Sequence, residues 1–163
     1  MFELKPISTA SIGGALAKAE RYRLLNEPGE AESICRDILE VDSANQDALR
    51  SLVLALTDQI CDDPTAFRNA IATSARLQTG YDRAYYAGIA WERRAKASHR
   101  RGAPGHVYDW IVEALHLFGE AERLRPPDND DAILRWNTCV RFLACHRELT
   151  PYPESERQAI MSE

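Results

Sequence analysis

The sequence predicts an all-α chain: about seven antiparallel helices joined by short turns, with no sheet. Three observations carry this. Apolar residues recur at helical spacing along most of the chain, and no alternating run of strand length is bounded by turns. Ala, Leu, Glu and Arg, all good helix formers, dominate the segments between turns. Proline and glycine, eight of each, fall in clusters that cut the chain into pieces of helical length.

The first helix is expected from Thr9 to Asn26, with Ile12, Ala15, Leu16, Ala19 and Tyr22 along one face, and Asn-Glu-Pro-Gly ends it. The second, Pro28 to Val41, starts with a proline in the first turn, where a missing amide is tolerated, and turns Ala31, Ile34, Cys35, Ile38 and Leu39 inward. The third, Gln46 to Ile60, has so strong a stripe at Leu49, Leu52, Val53 and Leu56 that it should be covered on two sides. Asp62-Asp63-Pro64 opens the fourth, which runs to Gln78 with Gly80 as its C-terminal stop. The fifth, Tyr81 to Arg101, ends in a basic run closed by Gly-Ala-Pro-Gly. A sixth, His106 to Leu124, precedes Pro126-Pro127, and a seventh runs from Asp130 to Arg147. Residues 1–8 then form an N-terminal segment, 9–147 the helical domain and 148–163 a polar tail.

With 163 residues, 45% hydrophobic and 28% charged, the chain fits one domain with a real core, which excludes wholesale disorder. No apolar run approaches a membrane span, and the start MFELKPISTA lacks the charged-then-apolar order of a signal peptide. A soluble, cytoplasmic protein without membrane contact is expected. Four cysteines, none in a Cys-x-x-Cys pair, read as mostly buried free thiols of a reducing compartment. The Arg to Lys ratio of 17 to 3 fits a GC-rich bacterial genome. The net charge of −5 hides three blocks: residues 1–63 hold 6 cationic against 12 acidic side chains, residues 64–101 hold 8 against 2, and residues 102–163 hold 6 against 11. The basic middle therefore either pairs with its flanks or faces a partner.

Helix, turn, helix and a polar turn recur with a period of about 34 residues. Small residues stand where two helices of a pair would touch, at Ala19 and Ala31 in the first unit and at Gly88, Ala114 and Ala121 in the third. Larger ones fill the gaps between layers, such as Tyr22, Leu39, Trp91 and Phe118. Leu49, Leu52, Val53 and Leu56 open the second unit, and Ile133, Trp136, Asn137 and Val140 lie on a last, unpaired helix. In these residues, over about 9–147, the chain resembles the tetratricopeptide repeat (TPR) family. The resemblance implies a right-handed superhelix of three helix pairs plus a C-terminal helix, with a concave groove that binds a peptide or partner protein. Carried over by repeat position, the groove residues would be Leu16, Glu20, Arg23, Asp47, Arg50, Leu54, Asp58, Tyr85, Ile89, Glu92 and Arg93. Leu16 and Glu20 replace the Lys and Asn with which the family clamps chaperone tails, so a chaperone-tail adaptor is not implied.

The chemical motifs are sparse. Glu113 and His116 have the spacing of a di-iron helix, but no second copy exists. Cys139, Cys145 and His146 lack a fourth ligand, and Asp128, Asp130 and Asp131 lack the glycine and distal glutamate of a calcium loop. No metal, no cofactor and no enzyme activity are expected. The basic run Arg93, Arg94, Lys96, Arg100 and Arg101, preceded by Tyr85, Tyr86 and Trp91, is the alternative functional signal, for nucleic acid or another anionic surface. Its bland counterpart is a solvated face paired with Glu113, Glu120 and Glu122. The leading expectation is a non-catalytic interaction module with a protein or peptide partner, one that leaves room for a homo-oligomer.

Overall fold

The computed structural model describes residues 2–152, and the part of the expected polar tail from residue 153 onward lies outside them. Among the described residues the structure is all-helical. A short 3-10 turn, Thr9–Ser11, leads into α1 (Ile12–Leu24), followed by α2 (Pro28–Val41), α3 (Gln46–Asp58), α4 (Ala66–Ser74), α5 (Gly80–Arg100), α6 (Val107–Leu124) and α7 (Asp131–Cys145). None of these helices is long and apolar enough to cross a membrane.

Local chemistry sets the helix ends. After α1, Asn26 takes the left-handed conformation at φ 61°, so the Asn26 N–H donates to Arg23 O and the Glu27 N–H reaches back to Tyr22 O at 2.9 Å. Gly102, at φ 72°, repeats this after α5, its N–H donating to His99 O and that of Ala103 to Ser98 O. Both are Schellman caps, which satisfy the last carbonyls of a helix when one residue can turn left-handed. At the N-termini, Asn45 Oδ1 accepts from Ala48 N at 2.9 Å, and Thr79 Oγ1 accepts from Asp82 N at 2.9 Å.

Thr79 corrects one expectation. Gly80 does not stop the fourth helix; it is the first residue of α5. The fourth helix is already over at Ser74, where the Thr73 and Ser74 hydroxyls donate back to Asn69 O and Ile71 O. Such back-bonding competes with continued helix.

Consecutive helices pack against one another, and the odd-numbered ones also touch: α1 meets α3, α3 meets α5 and α5 meets α7. Two main clusters fill the interior. Ala19, Ala31, Cys35, Leu52, Val53 and Leu56 join α1, α2 and α3, and Ala90 of α5 closes that cluster. Ile89 and Ala95 of α5 belong to the other, with Ile111, Phe118, Cys139 and Leu149. The helix α5 thus serves both clusters and acts as the spine of the molecule. Leu149 also moves a boundary: the polar tail expected from residue 148 starts by packing inward, with Leu149 buried, the Tyr152 N–H donating to Asp109 Oδ2 at 2.9 Å and its ring against His106. Of the cysteines, Cys35 and Cys139 are buried, Cys61 is half-buried and Cys145 is exposed, so only half of the thiols meet the expectation of burial.

Candidate interaction surface

Ion pairs stitch the row α1, α3, α5 and α7 together. Arg23 of α1 donates through Nε to Asp58 Oδ2 of α3 at 2.8 Å. The other oxygen of Asp58 receives Arg93 Nη1 of α5, which also donates to Thr57 Oγ1 at 2.7 Å and to Leu54 O at 3.3 Å. One carboxylate therefore holds two guanidinium groups from the helices on either side. Nearer the other end of α3, Arg50 bridges Asp47 at 2.9 Å and Asp82 of α5 at 2.8 Å. The hydrogen bond that Arg50 donates to the Asp82 carboxylate raises the Arg50 pKa above its ordinary value.

Glu92 is the centre of a second set. Its side chain is only 2% exposed and lies between Lys96 Nζ, at 2.5 Å, and Arg135 Nη1 of α7, at 3.3 Å. A buried carboxylate is tolerated when opposite charges and hydrogen bonds replace its water. Burial works against the charge of Arg135, but Glu92 and the neighbouring Tyr85 outweigh it and leave the guanidinium pKa raised. For Arg93 burial dominates over Asp58 and the shift is downward.

These residues line a cleft of about 300 Å³ between α3, α5 and α7, whose charged walls are Asp58, Glu92, Arg93, Lys96, Arg100 and Arg135. Four cations against two carboxylates leave two positive charges in excess. The basic run is therefore split by the helix. Arg93, Lys96 and Arg100 follow the three-then-four spacing of one face and line the cleft, with Arg100 Nη2 directed at Cys61 Sγ, 3.8 Å away. Arg94 and Arg101 line a neighbouring, outer cleft of about 240 Å³, separated from the first by Ile60 and Ala97, which line both. There the Arg94 guanidinium sits between the rings of Phe67, at 4.2 Å, and Trp110, at 4.1 Å, and burial lowers its pKa. Stacking of this kind contributes about 0.5–2 kcal/mol.

Several expected groove residues take other roles. Ile89 is 2% exposed and belongs to the core, because α5 turns it toward α6. Glu92 is a buried counter-ion and offers no free carboxylate. Tyr85 is half-buried, stacked on Tyr81 at 5.5 Å and tilted on Phe118. Glu20 is exposed on α1, and Asp47 is held by Arg50. The acids that neutralise the basic run are Asp58 and Glu92, whereas the expected Glu113, Glu120 and Glu122 lie on α6. Glu113 and His116 sit 4.0 Å apart on its outer face.

Sequence reasoning did not single out Arg135, and it grouped Lys96 and Arg100 with Arg94 and Arg101, whereas in the structure they line one cleft with Arg93. The spacing of 93, 96 and 100 would have found the last two. Arg135 carries no local signal, since only the packing of α7 on α5 brings it to Glu92. No family model matches the chain, and neither a curated protein nor a solved structure matches it significantly.

Proposed function

We propose that the chain is a non-catalytic interaction module of the TPR-like kind, which binds an acidic segment of a partner protein across the odd-numbered helices. The observation that carries this reading is the direct packing of α1, α3, α5 and α7 on one another, a row that offers a continuous surface. The small residues on which the resemblance rests are also at close contacts, since Ala19, Ala31, Ala114 and Ala121 are completely buried. On that surface the cleft over Glu92 supplies an excess of guanidinium and ammonium donors, which suits carboxylates better than cations. An extended acidic peptide laid across the row would place alternate carboxylates at Arg93, Lys96, Arg100 and Arg135.

The rival reading, a nucleic-acid or anionic surface at Arg94, Lys96, Arg100 and Arg101, has less to stand on. Stacking occupies Arg94, while the run is divided between two clefts along α5. A polyanion needs several cations on one track. Fluorescence anisotropy with a labelled glutamate-rich peptide tests the proposal on the full chain. Binding that weakens with salt, and none to a lysine-rich peptide of equal length, is expected. Equal binding of the two peptides, or none of the acidic one, would contradict it.

A further inference from the structure

At the far end of the α5–α7 contact three donors from separate parts of the chain converge. His99 comes from the last turn of α5, His146 caps α7, and Glu148 follows on the turn beyond it. Each can bring one ligand atom within 4.8 Å of the other two. The imidazole centroids lie 4.3 Å apart, and His146 Nδ1 is 3.2 Å from Glu148 Oε1.

The supports are firm. Phe142 forms an apolar floor under both rings, at 5.5 Å from His99 and 4.6 Å from His146. The His146 N–H donates to Phe142 O and Leu143 O, and the turn bearing Glu148 is closed by the Leu149 N–H on His146 O at 3.1 Å, with Leu149 buried beneath it. The nearby cations are engaged elsewhere, Lys96 with Glu92 and Arg100 toward Cys61. Two half-buried imidazoles on an aromatic base and an exposed carboxylate beside them form the donor set that a borderline divalent ion takes in a three-ligand site with a fourth position open to water.

We infer that His99, His146 and Glu148 form a zinc site that clamps the C-terminal end of α5 to that of α7. The three donor atoms, now within 4.8 Å of one another, would have to close to tetrahedral spacing by side-chain rotation, because zinc bonds to nitrogen and oxygen run to about 2.0–2.2 Å. This inference stands on its own geometry and does not depend on what the cleft binds. It departs from the expectation that the chain holds no metal, which rested on motifs of short sequence spacing.

Calorimetric titration of the full chain with zinc chloride tests it, with thermal unfolding as a second readout. One ion per chain is expected, together with a zinc-dependent rise in Tm, since a ligand that binds only the folded state stabilises it. His99→Ala and His146→Ala should each weaken binding by about tenfold or more and abolish the rise in Tm. Glu148→Gln should weaken it less. Replacing Cys61 and Cys145 together by serine must leave the affinity unchanged, which separates this site from adventitious thiol binding. Should His99→Ala fail to fold, as circular dichroism would reveal, His99→Gln and His146→Ala decide instead. Absence of binding at millimolar zinc, or binding that persists in both histidine variants, would overturn the proposal.

Discussion

Gly88 of α5 lies hard against the ring of Phe118 of α6: a methyl group on Gly88 would come within 2.7 Å of Phe118 Cε1. Phe118 is completely buried, so the ring has no free space into which to retreat. Gly88→Ala should gain about 1 kcal/mol of helix propensity. Overpacking against the ring removes about 1–3 kcal/mol, and the net result expected is a loss of stability. Urea denaturation checks this, and shrinking the ring with Phe118→Leu should make the alanine less harmful, as coupling between touching residues requires. A more stable Gly88→Ala variant would refute the close contact.

Ala31 of α2 has no exposed surface and lies in the cluster shared with Ala19 and Cys35. A leucine there should destabilise by about 1–3 kcal/mol. An unchanged urea midpoint would mean that α1 and α2 do not approach as closely as described.

Glu92 neutralises both Lys96 and Arg135 while 2% exposed. Removing it with Glu92→Ala strands two half-buried cations and should lower stability by about 3 kcal/mol, the lower end of the range for breaking a buried pair. A loss below about 1 kcal/mol, as for a surface ion pair, would show that the carboxylate is better solvated than its burial implies.

The four thiols should divide into two classes. Burial pushes Cys35 up to about 11 and Cys139, which also faces Glu92, up to about 12, so neither forms thiolate near neutral pH. Cys61 and Cys145 are accessible. A disulfide reagent at mild alkaline pH should therefore label two cysteines per chain quickly and the other two only after denaturation. Rapid labelling of Cys35 in the folded protein would contradict the packing of the first cluster.

Most of the helices were legible because their signals are local. Asn26 and Gly102 end helices by their own backbone freedom, and Asn45 caps one with its own side chain. The misreading of Gly80 shows the limit: a glycine between two helices can end one or begin the next, and here the Thr79 cap made it a beginning. The surface was less legible. Arg93, Lys96 and Arg100 share a face by simple periodicity, yet whether that face was outer or inner depended on α7 delivering Arg135. The meeting of His99 with His146 was equally hidden, for the two lie on different helices and no spacing rule links them.

The most direct test of the central claim sets two adjacent arginines against each other. Arg100 lines the cleft of the odd-numbered helices and Arg101 the neighbouring outer cleft, and both are exposed, so charge reversal at either leaves the core intact. Anisotropy titration of the glutamate-rich peptide against the two variants reads the difference. The account predicts that Arg100→Glu weakens binding by about tenfold or more and Arg101→Glu by clearly less, because both charges lie within a Debye length of the cleft but a reversed charge acts most strongly at contact. Equal losses in the two variants, or a larger loss for Arg101→Glu, would contradict it and place the working surface on the outside.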